Sequence, residues 1–450
     1  MTNSKLKVAV YIHSKSGLNW LHYGITSKLN KSFEIKFILT KDLSHLRSSI
    51  TELKDAIIIE DDRAEWVYKR AYEVNLLENR SKSASFTYRL KRFLSGNLIL
   101  NSINLKTHPS LILYKLSSIL NYIKSNPFII IFYSTTIRKF FKKLLNRYIK
   151  RTTLNYLPTN NFDLIIIPSS GIETKVNKMI QNCKKTRIRT MVAIENWDNL
   201  TSKGLFLETP TFLSVMGQMC KNHVLEMYDF PEKNILVNGL PRFENYGIRH
   251  NQDKKPNKRR ILYLGFSLPH NEINLINLLL PKLNEILGHK EFDFIYRPHP
   301  ARQKRYYDGI LEKHPNLIIV DHIKDRNSEL PLISSDYIKD FLDSDLIIST
   351  PTTMALESIM LGLPTLIDGT NDGIHRTSAK LALNNFTHLK DLNEVYQENI
   401  ADSVQDLVEK CLLLLNPNKS SVNPSIKKLI SMQTTYSRGL IDFIFAKFEE

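Results

Sequence analysis

The stretch Asp345–Pro364, DLIISTPTTMALESIMLGLP, carries the decisive pattern. Leu346, Ile347 and Ile348 form a short aliphatic run of the kind that fills a fully buried strand. Ser349, Thr350, Thr352 and Thr353 crowd its exit, with Pro351 where a helix can begin. Apolar residues then recur at helical spacing until Gly362, and PTLID opens another apolar run at once. Strand, polar turn, helix and strand make one unit of a parallel sheet, because parallel neighbours need a crossover of this kind.

The rhythm extends in both directions. Ahead of the stretch come ILYLGFS (261–267), helical NEINLINLLLPKLNEIL (271–287), DFIYRPHP (293–300), a helix near ARQKRYYDGILEKH (301–314), NLIIVD (316–321) and helical SSDYIKDFLDS (334–344). A polar run with proline, HNQDKKPNKRR (250–260), precedes them and reads as a linker. Before it lies a second alternating series. KVAVYI (7–12), FEIKFIL (33–39), DAIIIED (55–61), FDLIIIPSS (162–170), RTMVAI (189–194), TFLSVMG (211–217) and NILVNGLPRFENY (234–246) read as strands. NWLHYGITSKL (19–29), ETKVNKMIQNCKK (173–185) and QMCKNHVLEMYDF (218–230) read as helices between them. The expected fold is α/β, two Rossmann-like domains facing a cleft: 1–249 with a helical insertion at 80–151, the linker, 261–424, and terminal helices over 425–450. A chain of 450 residues is too long for one ordinary core, which agrees.

The net charge of +17 is a local feature. Fifteen Lys and Arg and no acid lie between Arg80 and Arg151, leaving +2 for the rest of the chain. Cys183, Cys220 and Cys411 are scattered, which argues against a zinc site or disulfide framework and suits a reducing compartment. PFIIIFY (127–133) falls far short of the ~20 residues needed to span a bilayer, and the N-terminus reads as a first strand rather than a signal peptide.

Open α/β sheets bind ligands at the carboxyl ends of their strands. In the second half, Gly265 and Ser267 form a small turn suited to a phosphate approaching backbone N–H groups. Packing turns look the same. Arg297 and His299 leave a strand together, stiffened by Pro298 and Pro300: a bidentate phosphate ligand beside a group that can donate to, or protonate, a leaving oxygen. Ser349, Thr350, Thr352 and Thr353 exceed what one N-cap needs and point to an anion site at a helix N-terminus. Glu357, one turn on, suits a ribose diol, or is a plain exposed helix residue. DSD (343–345) matches a metal-holding Asp-x-Asp pattern but sits before its strand, at the wrong end of the sheet, so no metal and no other cofactor is expected.

Together RPHP and STPTT resemble the C-terminal half of GT-B glycosyltransferases, and among these the bacterial enzymes with cytidine-nucleotide donors: sialic-acid and Kdo-type transferases, polysialyltransferases and CDP-glycerol polyol-phosphate transferases of wall and capsule synthesis. The resemblance covers roughly residues 255 to 380. It implies that His299, Pro300, Ser349, Thr350, Thr352 and Thr353, and more loosely Arg297 and Glu357, hold the donor nucleotide. The acidic-acidic-Gly motif of the sialyltransferase-like families is matched only by EDDRAEW (60–66), which lacks the glycine.

Glycosyl transfer requires a base for the acceptor hydroxyl and neutralisation of the leaving phosphate. The base is expected from the first half. NWDNLTSKG (196–204), directly after RTMVAI and Glu195, is dense in polar groups around a tryptophan. Asp198 is the preferred base and Glu195 the next, with Asn196, Trp197, Asn199 and Lys203 as acceptor contacts. Asp61, Asp62 and His13 are further candidates, and a strand-end His without companions is usually structural. The loop DGTNDGIHRTSAK (368–380) offers His375 or Arg376 to a phosphate, or is an ordinary surface loop.

In the basic segment, cations alternate with Phe86, Tyr88, Phe93, Tyr114, Phe140, Phe141 and Tyr148. A solvated face normally mixes signs. Nucleic-acid binding would come with a recognition motif, and none accompanies the segment. An amphipathic face against an anionic cytoplasmic leaflet fits best. The expected protein is a cytoplasmic, membrane-peripheral transferase moving a sugar or polyol phosphate from a nucleotide donor to a glycan or lipid-linked acceptor. A UDP-sugar enzyme of the same architecture, hexosyltransferase or 2-epimerase, is the alternative; a non-catalytic nucleic-acid-binding protein is a third.

Overall fold

The computed structural model describes residues 5–60, 65–86, 135–152, 162–169, 174–203, 206–245, 258–299, 314–320, 340–416, 424–431 and 435–449. They form two compact units. The first takes the chain up to Asn245 and again from Lys427; the second takes the described residues between them.

The first unit holds a parallel sheet of seven strands: β1 (Lys7–Ile12), β2 (Glu34–Thr40), β3 (Ile57–Ile59), β4 (Leu164–Ser169), β5 (Arg189–Ile194), β6 (Phe212–Val215) and β7 (Ile235–Val237), ordered 3-2-1-4-5-6-7. Its helices are α1 (Lys15–His22), α2 (Ile25–Ser32), α3 (Glu65–Glu78), α4 (Thr135–Thr152), α5 (Thr174–Thr186), the single turn α6 (Asn199–Ser202) and α7 (Gln218–Met227). The second unit holds β8 (Arg259–Leu264), β9 (Phe292–Arg297), β10 (Leu317–Ile319), β11 (Leu346–Ser349), β12 (Thr365–Asp368) and β13 (Ile400–Ala401), ordered 10-9-8-11-12-13 and again all parallel. Its helices are α8 (Glu272–Leu287), α9 (Thr353–Met360), α10 (Ala379–Asn385), α11 (Thr387–Tyr396) and α12 (Val404–Leu414). In both sheets the first strand of the unit has the second on one side and the fourth on the other. This is the Rossmann order, with its switch point between β1 and β4 and between β8 and β11.

The stretch that opened the sequence reading forms β11, its turn, α9 and the approach to β12. Ile347–Ser349 pair with Leu262–Leu264 on one side and Thr365–Ile367 on the other, so β11 is central, which is why it is aliphatic up to Ser349. Tyr263, Leu279, Leu283, Phe292, Phe294, Leu346, Ile348, Leu366 and Leu407 close one core against α8 and α12.

Two expectations change. NWLHYGITSKL is not one helix: Gly24 adopts φ +69 and separates α1 from α2. The expected linker is described only at its end, where Arg259 and Arg260 already belong to β8 and pair with β9. Its remainder, PFIIIFY with the rest of the basic segment from 87 to 134, and ARQKRYYDGILEKH up to residue 313 lie outside the described residues. In the terminal segment, α13 (Tyr436–Glu449) packs Tyr436, Leu440 and Ile444 into the core of the first unit with Val8, Trp20, Leu164 and Met191. Glu244 secures it, accepting from the Ser437 amide at 2.9 Å, the Ser437 hydroxyl at 2.5 Å and Lys28 Nζ at 2.6 Å. Just before α13 the returning chain lies so close to Gly217 that a Cβ there would stand 1.9 Å from Leu429 O.

The last part of the basic segment forms α4. Leu145 and Ile149 pack on Val67, Tyr68, Ala71, Val74 and Leu77 of α3, and Lys142 pairs with Glu78. Phe140, Leu144 and Tyr148, one helical turn apart, stay 63%, 45% and 50% exposed, and the helix as a whole carries seven Lys and Arg and no acid, of which Arg138 and Lys142 pair with Glu78. Among the described residues no helix is long and apolar enough to cross a membrane.

Candidate functional site

The exits of β9, β8 and β11 are neighbours in the second sheet, so the residues proposed for the donor come together there. After β8 the chain turns at Gly265. A Cβ at this position would lie 2.8 Å from His299 N, 3.1 Å from Pro298 Cα and 2.7 Å from Glu272 Oε2. Glycine is therefore required by the close approach of the β9 exit, and that approach sets His299 beside the β8 turn. The turn is less open to a ligand than its sequence suggests: the Phe266 amide donates to Glu272 Oε1 at 2.6 Å, while Ser267 stays exposed. Arg297 is buried and pairs with Asp340 at 3.4 Å. Pro300 lies outside the described residues.

At the β11 exit the four hydroxyls divide by role. Ser349 and Thr350 are fully buried; Ser349 Oγ donates to Thr350 O at 2.8 Å and Thr350 Oγ1 to Leu264 O at 3.1 Å. These two build the turn and tie it to β8. Thr352 and Thr353 are half-buried, and the N-cap Thr352 makes no side-chain capping bond. The first turn of α9 thus begins without the self-capping that would compete with an anion. Glu357 is fully buried in α9, so it is not an exposed helix residue. Asp345 accepts from the Arg260 amide at 2.8 Å and Asp343 pairs with Arg260, so DSD is a turn at the amino end of β11. Among the described residues no His, Cys, Asp and Glu group of three is placed to hold a metal.

Sequence reading missed a buried ionic cluster beside this site. His270, on the turn before α8, places Nε2 3.2 Å from Asp368 Oδ2 and Nδ1 3.6 Å from Asp372 Oδ2. Tyr263 OH donates to Asp368 at 2.7 Å, and Tyr296 OH to Glu272 at 2.5 Å. Burial alone would lower the His270 pKa; its bonds to the two aspartates outweigh this and push it up to about 10. Burial would likewise raise Asp368 and Asp372, yet both are held below the usual carboxylate range. The opposing bonds come from His270, with Thr370 and Tyr263 on Asp368 and with His375 on Asp372. His270 and Asp368 are 98 residues apart, and a lone histidine before a helix gives no hint of the pairing.

In the first unit the turn after β5 is stitched to the switch point. The Glu195 amide and Asn199 Nδ2 both donate to Ser169 O, at 3.0 and 3.2 Å. Arg242, which sequence reading passed over, donates to Glu195 O at 3.1 Å and Asn196 Oδ1 at 2.6 Å. Trp197 and Asn199 are buried and Glu195 nearly so; the tryptophan is a wedge and offers no stacking face. Asp198 accepts from Ser202 Oγ at 2.6 Å and stands 3.6 Å from Lys203 Nζ. Much of the polar density of this turn therefore builds the turn itself. His13 is buried and donates Nε2–H to Pro168 O at 3.1 Å, a tie across the β1–β4 switch point. Asp61 and Asp62 lie outside the described residues.

No protein-family model matches the chain, and no curated protein matches it in sequence. Solved structures do match in shape. A Listeria monocytogenes protein assigned as a UDP-N-acetylglucosamine 2-epimerase superimposes with a TM-score of 0.55 over 99% of this chain and 97% of its own, at 12% identity. S. aureus MnaA, solved with UDP, gives 0.52 over 99% and 97% at 9% identity. The chain has the GT-B fold. At these identities the likeness extends to architecture alone, two parallel α/β units each with a Rossmann strand order.

Proposed function

We propose that the protein is a nucleotide-dependent transferase whose second unit holds the donor at the exits of β8, β9 and β11. What supports this reading is that His299, beside Gly265 at the β8 exit, and the uncapped start of α9 at Thr352 and Thr353 follow the two strands that flank β8. Backbone N–H groups at a helix start and an adjacent imidazole are suited to a phosphate. Ser349 and Thr350 shape the turn, and the resemblance carries Arg297 and Pro300 to the donor and Glu357 to its ribose. The transferred group is a sugar or polyol phosphate. The cytidine preference rests on the RPHP and STPTT resemblance, and the proposed destination is a bacterial surface glycan or a lipid-linked precursor.

On the acceptor side the reading assigns the turn after β5, with Asp198 orienting a hydroxyl and Asn196, Lys203 and Glu195 shaping its surroundings. The α4 stripe supports a peripheral position on an anionic cytoplasmic leaflet, its apolar residues entering shallowly and its cations meeting headgroups. No metal is required in this reading.

A UDP-sugar enzyme is the second reading, favoured by the two structural neighbours, one assigned as a UDP-sugar epimerase and one solved with UDP. A thermal-shift panel of CMP, CDP, UDP and GDP separates the readings. A nucleotide at a hundred times its dissociation constant stabilises by ~2.7 kcal/mol. A shift with UDP alone removes the cytidine preference, and no shift with any nucleotide removes the transferase. His299→Ala should abolish the shift, while Asp198→Ala should keep it and lower turnover.

A further inference from the structure

We propose that His375, held by Asp372, is the general base that takes the proton from the substrate hydroxyl, so that the base lies in the second unit. The inference rests on the transferase reading for its substrate and on geometry for its residue.

Asp372 is built as an anchor. Its Oδ1 accepts from the amides of Ile374 and His375, at 2.9 and 2.8 Å, and its Oδ2 from the Asn271 amide at 2.9 Å. The same Oδ2 meets His375 Nδ1 at 2.6 Å. An ionised carboxylate can only accept, so Nδ1 carries the hydrogen, and a neutral His375 ring keeps its lone pair on Nε2. Nε2 makes no hydrogen bond among the described residues, and the side chain is part-exposed. A carboxylate fixing one imidazole nitrogen so that the other is free to take a proton is the logic of the hydrolase triads.

The loop bearing this pair is pinned to the β8–α8 turn, through the Asn271 amide and through Thr377 Oγ1, which donates to Pro269 O at 2.9 Å. It leaves β12, the neighbour of β11, so the pair stands on the sheet edge that carries the donor residues. The groups around it are His270, Asp368 and Asp372, with Arg376 exposed beside it and Glu272, Tyr263 and Tyr296 deeper. His270 is one cation among three carboxylates. Such surroundings are a poor cradle for phosphate. Asp198, by contrast, already engages Ser202 and Lys203. In the step, the acceptor O–H breaks and its proton moves to Nε2. The oxygen bonds to the electrophilic centre of the transferred group, and the bond from that centre to the leaving phosphate breaks, its electron pair leaving with the nucleotide. Asp372 is the positioning residue.

The test uses the full chain with selectively 15N-labelled histidine, the His375 signals identified by their loss in His375→Gln. The expected neutral ring is the Nδ1–H tautomer, and Asp372→Asn should release it to a mixture. Turnover is assayed with CDP-glycerol, CMP-sialic acid and UDP-GlcNAc. His375→Gln should lose about 10²-fold or more in kcat, with the nucleotide thermal shift kept, and Asp372→Asn should move the acid limb of the pH profile. An Nε2–H tautomer, or His375→Gln within threefold of the parent, overturns the assignment. If no nucleotide binds, the transferase reading fails, and the tautomer alone decides whether His375 is built as a base. If nucleotides bind and His375→Gln turns over normally, the transferase reading stands and this one falls.

Discussion

Replacing Gly265 with alanine tests the geometry of the donor site at its tightest point. Of the three atoms the new methyl would meet, only Glu272 Oε2, at 2.7 Å, belongs to a side chain, and it is held by Tyr296. The other two, His299 N at 2.8 Å and Pro298 Cα at 3.1 Å, are backbone. Relief requires the β9 exit to move by about half an ångström, against the 2.9 Å bond from the Gly265 amide to Arg297 O. Overpacking of this kind costs about 1–3 kcal/mol. For a unit of this size, at roughly 2–4 °C per kcal/mol, that corresponds to a fall in Tm of about 2–12 °C. Because the displaced backbone carries His299, nucleotide stabilisation should disappear as well. Gly373→Ala is the control: Gly373 has φ +70 but open space around it, so it should lose about 1–2 kcal/mol from conformation alone and keep nucleotide binding. Scanning fluorimetry with and without CDP or UDP reads both effects. A Gly265→Ala protein with parental Tm and parental nucleotide shift would refute the reasoning.

Gly217→Ala should destabilise the first unit by about 3 kcal/mol in urea unfolding, since its methyl would meet Leu429 O at 1.9 Å and lift the segment leading into α13. The His270 pKa is raised from about 6.5 to about 10, so its contribution to stability is complete below pH ~6.5 and is lost as pH rises towards 10. Asp368 is lowered, so its contribution is present above pH ~4 and lost in acid. His270→Ala should therefore flatten the alkaline fall in Tm, and an unchanged alkaline slope would count against the pairing. Replacing Phe140, Leu144 and Tyr148 with serine should reduce flotation with phosphatidylserine vesicles at low salt while leaving Tm nearly constant, because these side chains are exposed. Equal flotation by parent and variant would remove the membrane reading.

Much of the architecture is legible because central parallel strands are aliphatic on both faces. LIIS and ILYL announce buried strands, and the polar turns after them mark the carboxyl edge. Strand order is not legible: nothing in the spacing of β8, β9 and β11 states that β8 lies between the other two. Between Ala379 and Leu414 the sequence signals are weaker and lie in single residues such as Ser403, whose side chain accepts from the Asp406 amide and caps α12. At the site, residue types indicated the right edge of the sheet but not each residue's role. Ser349 and Thr350 look like ligands in sequence and are turned inward in the fold. Trp197 looks like an acceptor contact in sequence and is buried in the fold. The His270–Asp368–Asp372 cluster depends on contacts across about a hundred residues, which no local pattern encodes.

The most direct measurement is a crystal structure of the full chain soaked with CDP or UDP. The expected result places the phosphate against the first N–H groups of α9 at Thr352 and Thr353, with His299 in hydrogen-bond reach and the ribose towards Glu357. A nucleotide lodged in the first unit, or absent at concentrations that saturate other nucleotide enzymes, would contradict it.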